Sequence, residues 1–337
     1  MRSYCTIFDK NYLIQGLALY NSLKYSSRNY QLFCLCMDTE SFKLLIKFKL
    51  TNLIPIHIDD LMNSQLNIVR NETTFGQFCW VCQPVFCEYL LNTFYLDMII
   101  YQESDTIFFS DPEIIINELE GYSSCLVPHN FSLDTDNAKS AGNYCIQFNA
   151  FKNNLDGLSV LNYWKTECFK YSKNTPTLYP GQLCLDNWVD NFNGVKVINN
   201  IGAGVAPWNI LQYRIFIKDQ MLYVNNTPII FYHYHAFGRY PNGLYELGRY
   251  RYTKNVITYI YSSYVNLLID AEKLIISIDI NYNFKRYYPA RYNYRDIFGF
   301  NLFFVLLQSF KDLKRIFTKR FNIYSETYLT KLYYNEK

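Results

Sequence analysis

From its first residues the chain alternates short apolar runs with amphipathic stretches, and this rhythm constrains the fold more than any other feature. Tyr4 to Phe8 reads as a buried strand and Asp9-Lys10-Asn11 as a loop. Leu13, Leu17, Tyr20 and Leu23 then form the apolar stripe of a helix. Leu32 to Met37 is a second strand, Phe42 to Phe48 a short helix, and Leu53 to Ile58 a third strand. Val81 to Leu91 predicts a further helix with Pro84 in its first turn, where a missing N–H costs little. Met98 to Tyr101 is a short, wholly apolar strand. Strand and helix in alternation predict an α/β fold, a mostly parallel sheet with helices on both faces.

Beyond Cys125 the rhythm loosens. Strand-like pieces fall at Ser123 to Val127, Tyr144 to Phe151, Val195 to Asn199 and Pro228 to His235, with a helix over Leu158 to Tyr171. After Tyr245 the chain turns helical, Tyr-rich and then basic, which divides it into 1–245 and a C-terminal extension, 246–337. No internal repeat or low-complexity linker interrupts it.

A net charge of +3 gives no nucleic-acid footprint. The abundant Tyr and Phe accompany many Ile, Asn and Lys, a compositional bias rather than a binding signature. Ten cysteines without a secretory start predict free thiols and a cytoplasmic protein. The pairs Cys34/Cys36 and Cys79/Cys82 lack the turn residues that accompany metal pairs, so no shared zinc is expected. Phe298 to Phe310 is too short to span a bilayer. With Lys311, Lys314, Arg315, Lys319 and Arg320 it predicts either an amphipathic helix on an anionic membrane surface or a helix packed on the main domain.

The stretch Met98 to Glu113 carries the chemistry. Glu103 and Asp105 follow the carboxyl end of a buried strand, where open α/β sheets bind ligands. Spaced one residue apart, they can face one crevice and hold Mg²⁺ or Mn²⁺ against a diphosphate. Ser110-Asp-Pro-Glu113 has the pattern of a capping box opening a helix.

This stretch, Tyr101-Gln-Glu-Ser-Asp-Thr-Ile-Phe-Phe-Ser-Asp-Pro112, resembles the aspartate–any–aspartate segment of GT-A-fold glycosyltransferases, particularly glycosyltransferase family 8 and its bacterial surface-polysaccharide relatives. The opening Tyr4 to Tyr12 and Gly16 to Leu23 resemble that family's first strand and helix. Phe78-Cys-Trp80 with Pro84, Tyr144 to Asn149, Leu185 to Trp188 and Gly202 to Asn209 follow in the expected order, so the resemblance covers about residues 1 to 240. It implies a metal-assisted transfer of sugar from a uridine-type nucleotide-sugar donor to a glycan hydroxyl, with retention. Residue by residue, it implies that Thr6, Asp9 and Tyr12 line the nucleoside pocket. Glu103, Ser104 and Asp105 would meet the metal and diphosphate, with His233 or His235 as a late ligand. Gln182 and Asp186 would stand near the reacting sugars, and Gly204 and Trp208 on a loop facing donor or acceptor.

Three places depart from the pattern: Glu103 replaces the first aspartate, Gly181 stands where relatives carry an acid, and Thr73-Thr74-Phe75 lacks the arginines common before the Phe-Cys-Trp segment, though Arg70 lies close by. They leave a non-catalytic sugar-nucleotide or glycan-binding protein as the alternative. Arg239 and Arg249 are candidates to neutralise phosphate. A nucleotidyltransferase lacks support, because no glycine-rich, lysine-bearing loop occurs near the start, and no nucleophile elbow is present.

Overall fold

The computed structural model describes residues 1–135, 138–171, 180–240, 243–280, 282 and 311–335. Its centre is an eight-stranded sheet. The strands are β1 (Arg2–Phe8), β2 (Tyr30–Cys36), β3 (Leu53–His57), β4 (Met98–Gln102), β6 (Ser124–Pro128), β7 (Tyr144–Cys145), β8 (Phe148–Lys152) and β9 (Val195–Val197); a short β5 (Thr106–Phe108) lies outside it. The order is β3-β2-β1-β4-β8-β6-β7, with β9 also paired to β6. β3, β2, β1 and β4 run parallel, as do β6 and β9, whereas β8 pairs antiparallel with both β4 and β6.

Both faces of the sheet are buried, which is why its strands read as continuous apolar runs. Strand alternation sorts the side chains into two cores. Tyr4, Phe8, Leu32, Cys34, Ile100 and Phe148 pack on one face against the helices Leu13–Ser26 and Thr39–Phe48. Cys5, Ile7, Phe33, Leu35, Ile99 and Phe151 pack on the other against Phe75–Thr93 and Leu155–Tyr171. Gly16 makes the first helix possible at this distance, since a Cβ there would lie 2.3 Å from the Phe8 ring. Cys34 and Cys36 fall in the first core and Cys82 in the second, on opposite sides of the sheet, so the two pairs share no zinc. All ten cysteines are free thiols.

Three predicted elements differ. The helix placed at Val81 to Leu91 begins at Phe75, where Thr74 and Gln77 form a reciprocal capping box, so Pro84 lies in its interior. The strand placed at Tyr144 to Phe151 is broken into β7 and β8. Ser110-Asp-Pro-Glu113 is not a capping box. The Ser110 hydroxyl donates to the Ile229 carbonyl at 2.8 Å, and Glu113 accepts both 2.7 and 2.9 Å bonds from Arg2. Asp111 instead accepts from the Glu113 N–H.

A third core joins the strand Phe231–His233 to the helix Ser262–Ile278, and here the tyrosines are structural. Tyr232, Tyr234, Tyr245, Tyr261 and Tyr264 are fully buried; Tyr234 stacks on Tyr264, and the Tyr261 hydroxyl donates to the Leu247 carbonyl at 3.0 Å. Residue 245 falls inside the strand Leu244–Glu246, which pairs with Ile323–Ser325 near the C-terminus. The apolar run Phe298 to Phe310 lies outside the described residues. Among the described residues no helix is long and apolar enough to cross a membrane.

Candidate active site

β4 ends at Gln102, and the chain turns through residues 103–105 directly into β5. The turn is tied on itself: the Gln102 amide donates to the Thr106 hydroxyl at 2.5 Å, which donates to the Glu103 carbonyl at 2.6 Å. On the far side, Phe231–His233 pairs antiparallel with β5, setting His233 opposite Thr106. The next backbone N–H, of Tyr234, donates to the Asp105 carbonyl at 2.8 Å. This register brings the imidazole to the acidic turn.

His233 Nε2 lies 3.2 Å from Asp105 Oδ1 and 3.3 Å from Glu103 Oε2. Its Nδ1 lies 3.1 Å from the Gln147 side-chain oxygen. An amide oxygen only accepts, so Nδ1 carries the proton and Nε2 is presented to the two carboxylates. Metal-binding histidines are oriented in this way, the outer ring nitrogen donating to a fixed carbonyl. The donor set therefore fits a divalent cation. Gln147 is anchored in turn, its backbone carbonyl accepting from the Glu103 N–H at 3.3 Å.

The electrostatics follow from burial and mutual charge. Burial raises the Glu103 carboxyl to about 7, with the His233 charge opposing and Asp105 reinforcing the shift. Burial also favours neutral Asp105, but the charge and hydrogen bond of His233 outweigh it and hold that carboxyl below its usual range. For His233 itself burial favours the neutral ring, and the two carboxylates overcome it to hold the imidazole protonated well above its ordinary value. His235 goes the other way, down to about 4, through burial and then the neighbouring His233 charge.

This corner opens onto a cavity of about 810 Å³, large enough for a cofactor-sized ligand. Asp9 and Tyr12 line it at the carboxyl end of β1, where Asp9 accepts from the Asn11 and Tyr12 N–H groups. Glu103, Ser104, Asp105, His233 and His235 line this corner of it, and Gln182 and Trp208 line it further along. Gln182 is held at both ends, accepting from the Ile146 N–H and donating to the Ala141 carbonyl. Trp208 is buried; its indole N–H donates to the His129 carbonyl at 2.9 Å, and its ring meets those of His233 and His235 edge-on.

Three predicted residues stand behind the cavity rather than on it. Thr6 is wholly buried inside β1. Asp186 gives its carboxylate to Asn143, accepting from the backbone N–H at 2.8 Å and the side-chain amide at 3.0 Å, so it fixes the loop before β7. Gly204, at φ +81°, permits a close approach, since a Cβ there would lie 2.6 Å from the Gln147 Nε2. Arg239 is taken by Glu272 at 2.6 Å. The sequence reading missed Cys145 and Gln147. Both belong to the stretch that resembled the family, but only the antiparallel pairing of β8 with β4, Gln102 opposite Phe148, carries them to the acidic turn.

The fold is that of the GT-A glycosyltransferases. The galactosyltransferase LgtC, solved in complex with donor and acceptor sugar analogues, matches with a TM-score of 0.50 at 12% identity over 80% of this chain and 95% of that one. No family model matches the sequence. Two Bacillus subtilis proteins are similar to it, both described as uncharacterized. YfnD is 25% identical over 240 residues, 69% of this chain and 77% of its own. YfnF is 27% identical over 246 residues, 70% and 81%.

Proposed function

We propose that the protein is a glycosyltransferase of the family 8 type, which moves a sugar from a nucleoside-diphosphate donor, a uridine one, to a hydroxyl of a growing glycan with retention. The observation that carries this reading is the convergence of Glu103, Asp105 and His233 at one corner of a ligand-sized cavity that reaches Asp9 and Tyr12. Asp105, Glu103 and His233 would hold Mn²⁺ or Mg²⁺. Such a cation, when bound, stabilises charge developing on a departing diphosphate. Gln147 fixes the His233 tautomer, Asp9 and Tyr12 receive the nucleoside, and the buried Trp208 excludes water beside the imidazole pair. The reaction takes place in the cytoplasm. There the exposed Lys311, Lys314 and Lys319, with Ile316 and Phe317 exposed among them, rest against an anionic membrane, while Arg315 is buried against Glu246.

Thermal melts with a panel of nucleotide sugars, with and without Mn²⁺, test the reading, since a ligand that binds only the native state raises Tm. The expected result is a shift that needs both donor and cation, together with release of the nucleoside diphosphate when an acceptor is added. No shift with any donor and no release would end it. Gly181 provides no carboxylate near the cavity, which favours a second reading, a nucleotide-sugar-binding protein without turnover. Donor binding with no release identifies that case.

A further inference from the structure

Among the described residues, the one group of three metal-ligand side chains is Glu103, Cys145 and His233, with a ligand atom of each within 4.8 Å of the others. Cys145 ends β7, is buried and lines the cavity. Ligand atoms in a tetrahedral zinc site stand roughly 3.3–3.8 Å apart, given bond lengths near 2.0–2.3 Å. Small side-chain rotations therefore close the group around one ion. The donor set also has a chemical preference. Mg²⁺ and Mn²⁺ favour oxygen ligands, whereas a thiolate with an imidazole and a carboxylate suits Zn²⁺ and its neighbours.

We propose that Cys145 is a thiolate ligand of this corner, so that a borderline, thiophilic cation of the Zn²⁺ or Co²⁺ class binds through Glu103, Cys145 and His233. The inference rests on the reading that the acidic turn holds a divalent cation, and adds to it the identity of a donor and the class of ion. The step is an exchange without redox chemistry: the S–H bond breaks, a sulfur–metal bond forms, and one proton leaves to solvent. Asp105, 3.2 Å from the same His233 nitrogen, remains the fourth donor, and a diphosphate oxygen enters as a fifth where the zinc-type shell expands. Three side chains already close the shell on one side, two of them among the predicted ligands.

Co²⁺ is the probe, because a cobalt–thiolate bond absorbs in the near ultraviolet while cobalt bound only by oxygen and nitrogen does not. The chain of 337 residues is titrated with Co²⁺, with and without UDP, and binding is followed in parallel by calorimetry. The expected result is a thiolate band that grows with occupancy, disappears in Cys145→Ser, and is accompanied by a fall in Co²⁺ affinity of about tenfold or more. Co²⁺ binding without the band, or a band that survives in Cys145→Ser, overturns the role of Cys145 and leaves the cation site in place. No cation binding in either condition overturns both. A wild-type spectrum without the band overturns the role of Cys145 even if the variant fails to fold.

Discussion

His233 Nε2 stands 3.2 Å from Asp105 Oδ1 because a strand from late in the chain pairs with β5 in one particular register. The pairing places Phe231 opposite Phe108 and Tyr232 opposite Ile107, so the two apolar residues divide between separate cores. His233, opposite Thr106, is the first residue to clear them. A slip of one residue would turn the imidazole away from the carboxylates into an apolar core and bring Tyr232 or Tyr234 to them. The cores on either side of the strand thus hold the site's geometry.

Asp105→Ala removes the carboxylate closest to that imidazole. Cation-dependent donor binding is expected to vanish and transfer to fall by at least about 100-fold, the scale of losing a preorganised electrostatic group. The melt should stay cooperative, because the register is set by backbone pairing and not by the Asp105 side chain. Steady-state rates with Mn²⁺ and a far-ultraviolet melt check the two halves, and full activity in the variant would refute the role.

The same cluster sets a pH dependence. Glu103 binds a proton up to about 7 in the folded chain but only to about 4.5 when unfolded, so stability declines as pH rises through that window. His233 adds to the trend. Its raised affinity for a proton contributes stability that is complete below its ordinary value of 6.5 and is lost as pH climbs through its higher folded value. Asp105, held low, contributes stability above its ordinary 3.8 that is lost only as pH falls through its folded value. The cation-free protein should therefore melt lower at pH 8 than at pH 5.5, with a slope from each group of at most about 1.4 kcal/mol per pH unit. A bound cation takes the place of those protons, so Mn²⁺ affinity should rise over the same interval. Melting temperatures across pH, with and without Mn²⁺, decide it; parallel curves would contradict the assignment.

Gln147 and Gly204 act one layer out. Gln147→Leu deletes the acceptor that holds the His233 Nδ1 proton, and cation affinity should drop by about 10–100-fold. Gly204→Ala forces a Cβ into a φ of +81°, 2.4 Å from Val127 Cγ1 and against Gln147. The cost is expected at about 1–3 kcal/mol, with a parallel loss of cation affinity. Calorimetric titration with Mn²⁺ and UDP reads both. An unchanged dissociation constant in Gln147→Leu would mean that the imidazole needs no such anchor.

The sheet was legible because its strands are apolar on both faces, as Leu32 to Met37 and Met98 to Tyr101 show. Glu103, Asp105 and the two late histidines were legible as residue types at a strand end and in a short run. What escaped was long-range pairing. Nothing local in Cys145-Ile-Gln147 reveals that β8 lies antiparallel beside β4, and that placement alone brings Cys145 and Gln147 to the acidic turn. Asp186 is an acid in a familiar segment, and only the fold shows its carboxylate bonded to Asn143. Pro84 misplaced a helix start, because the actual N-terminus is set by the Thr74–Gln77 box and by burial of Phe78, Val81 and Phe86.

Trp208→Ala distinguishes a sugar-contacting aromatic from one that builds the wall. The ring is nearly inaccessible at 4% exposure, donates to His129, and packs edge-on to His129, His233 and His235 at centroid distances of 5.2, 5.2 and 5.7 Å. Removing it should cost about 3–5 kcal/mol, the range for a buried tryptophan. It also leaves the His129 carbonyl one donor short, with Asn209 still bonded at 2.9 Å. Trp208→Phe keeps most of the packing and loses only the N–H bond, so it should recover more than half of the lost stability. If the wall is its role, Trp208→Phe keeps an acceptor KM close to wild type while chemical denaturation records the stability change. A large rise in acceptor KM with stability intact would instead put the indole in contact with sugar.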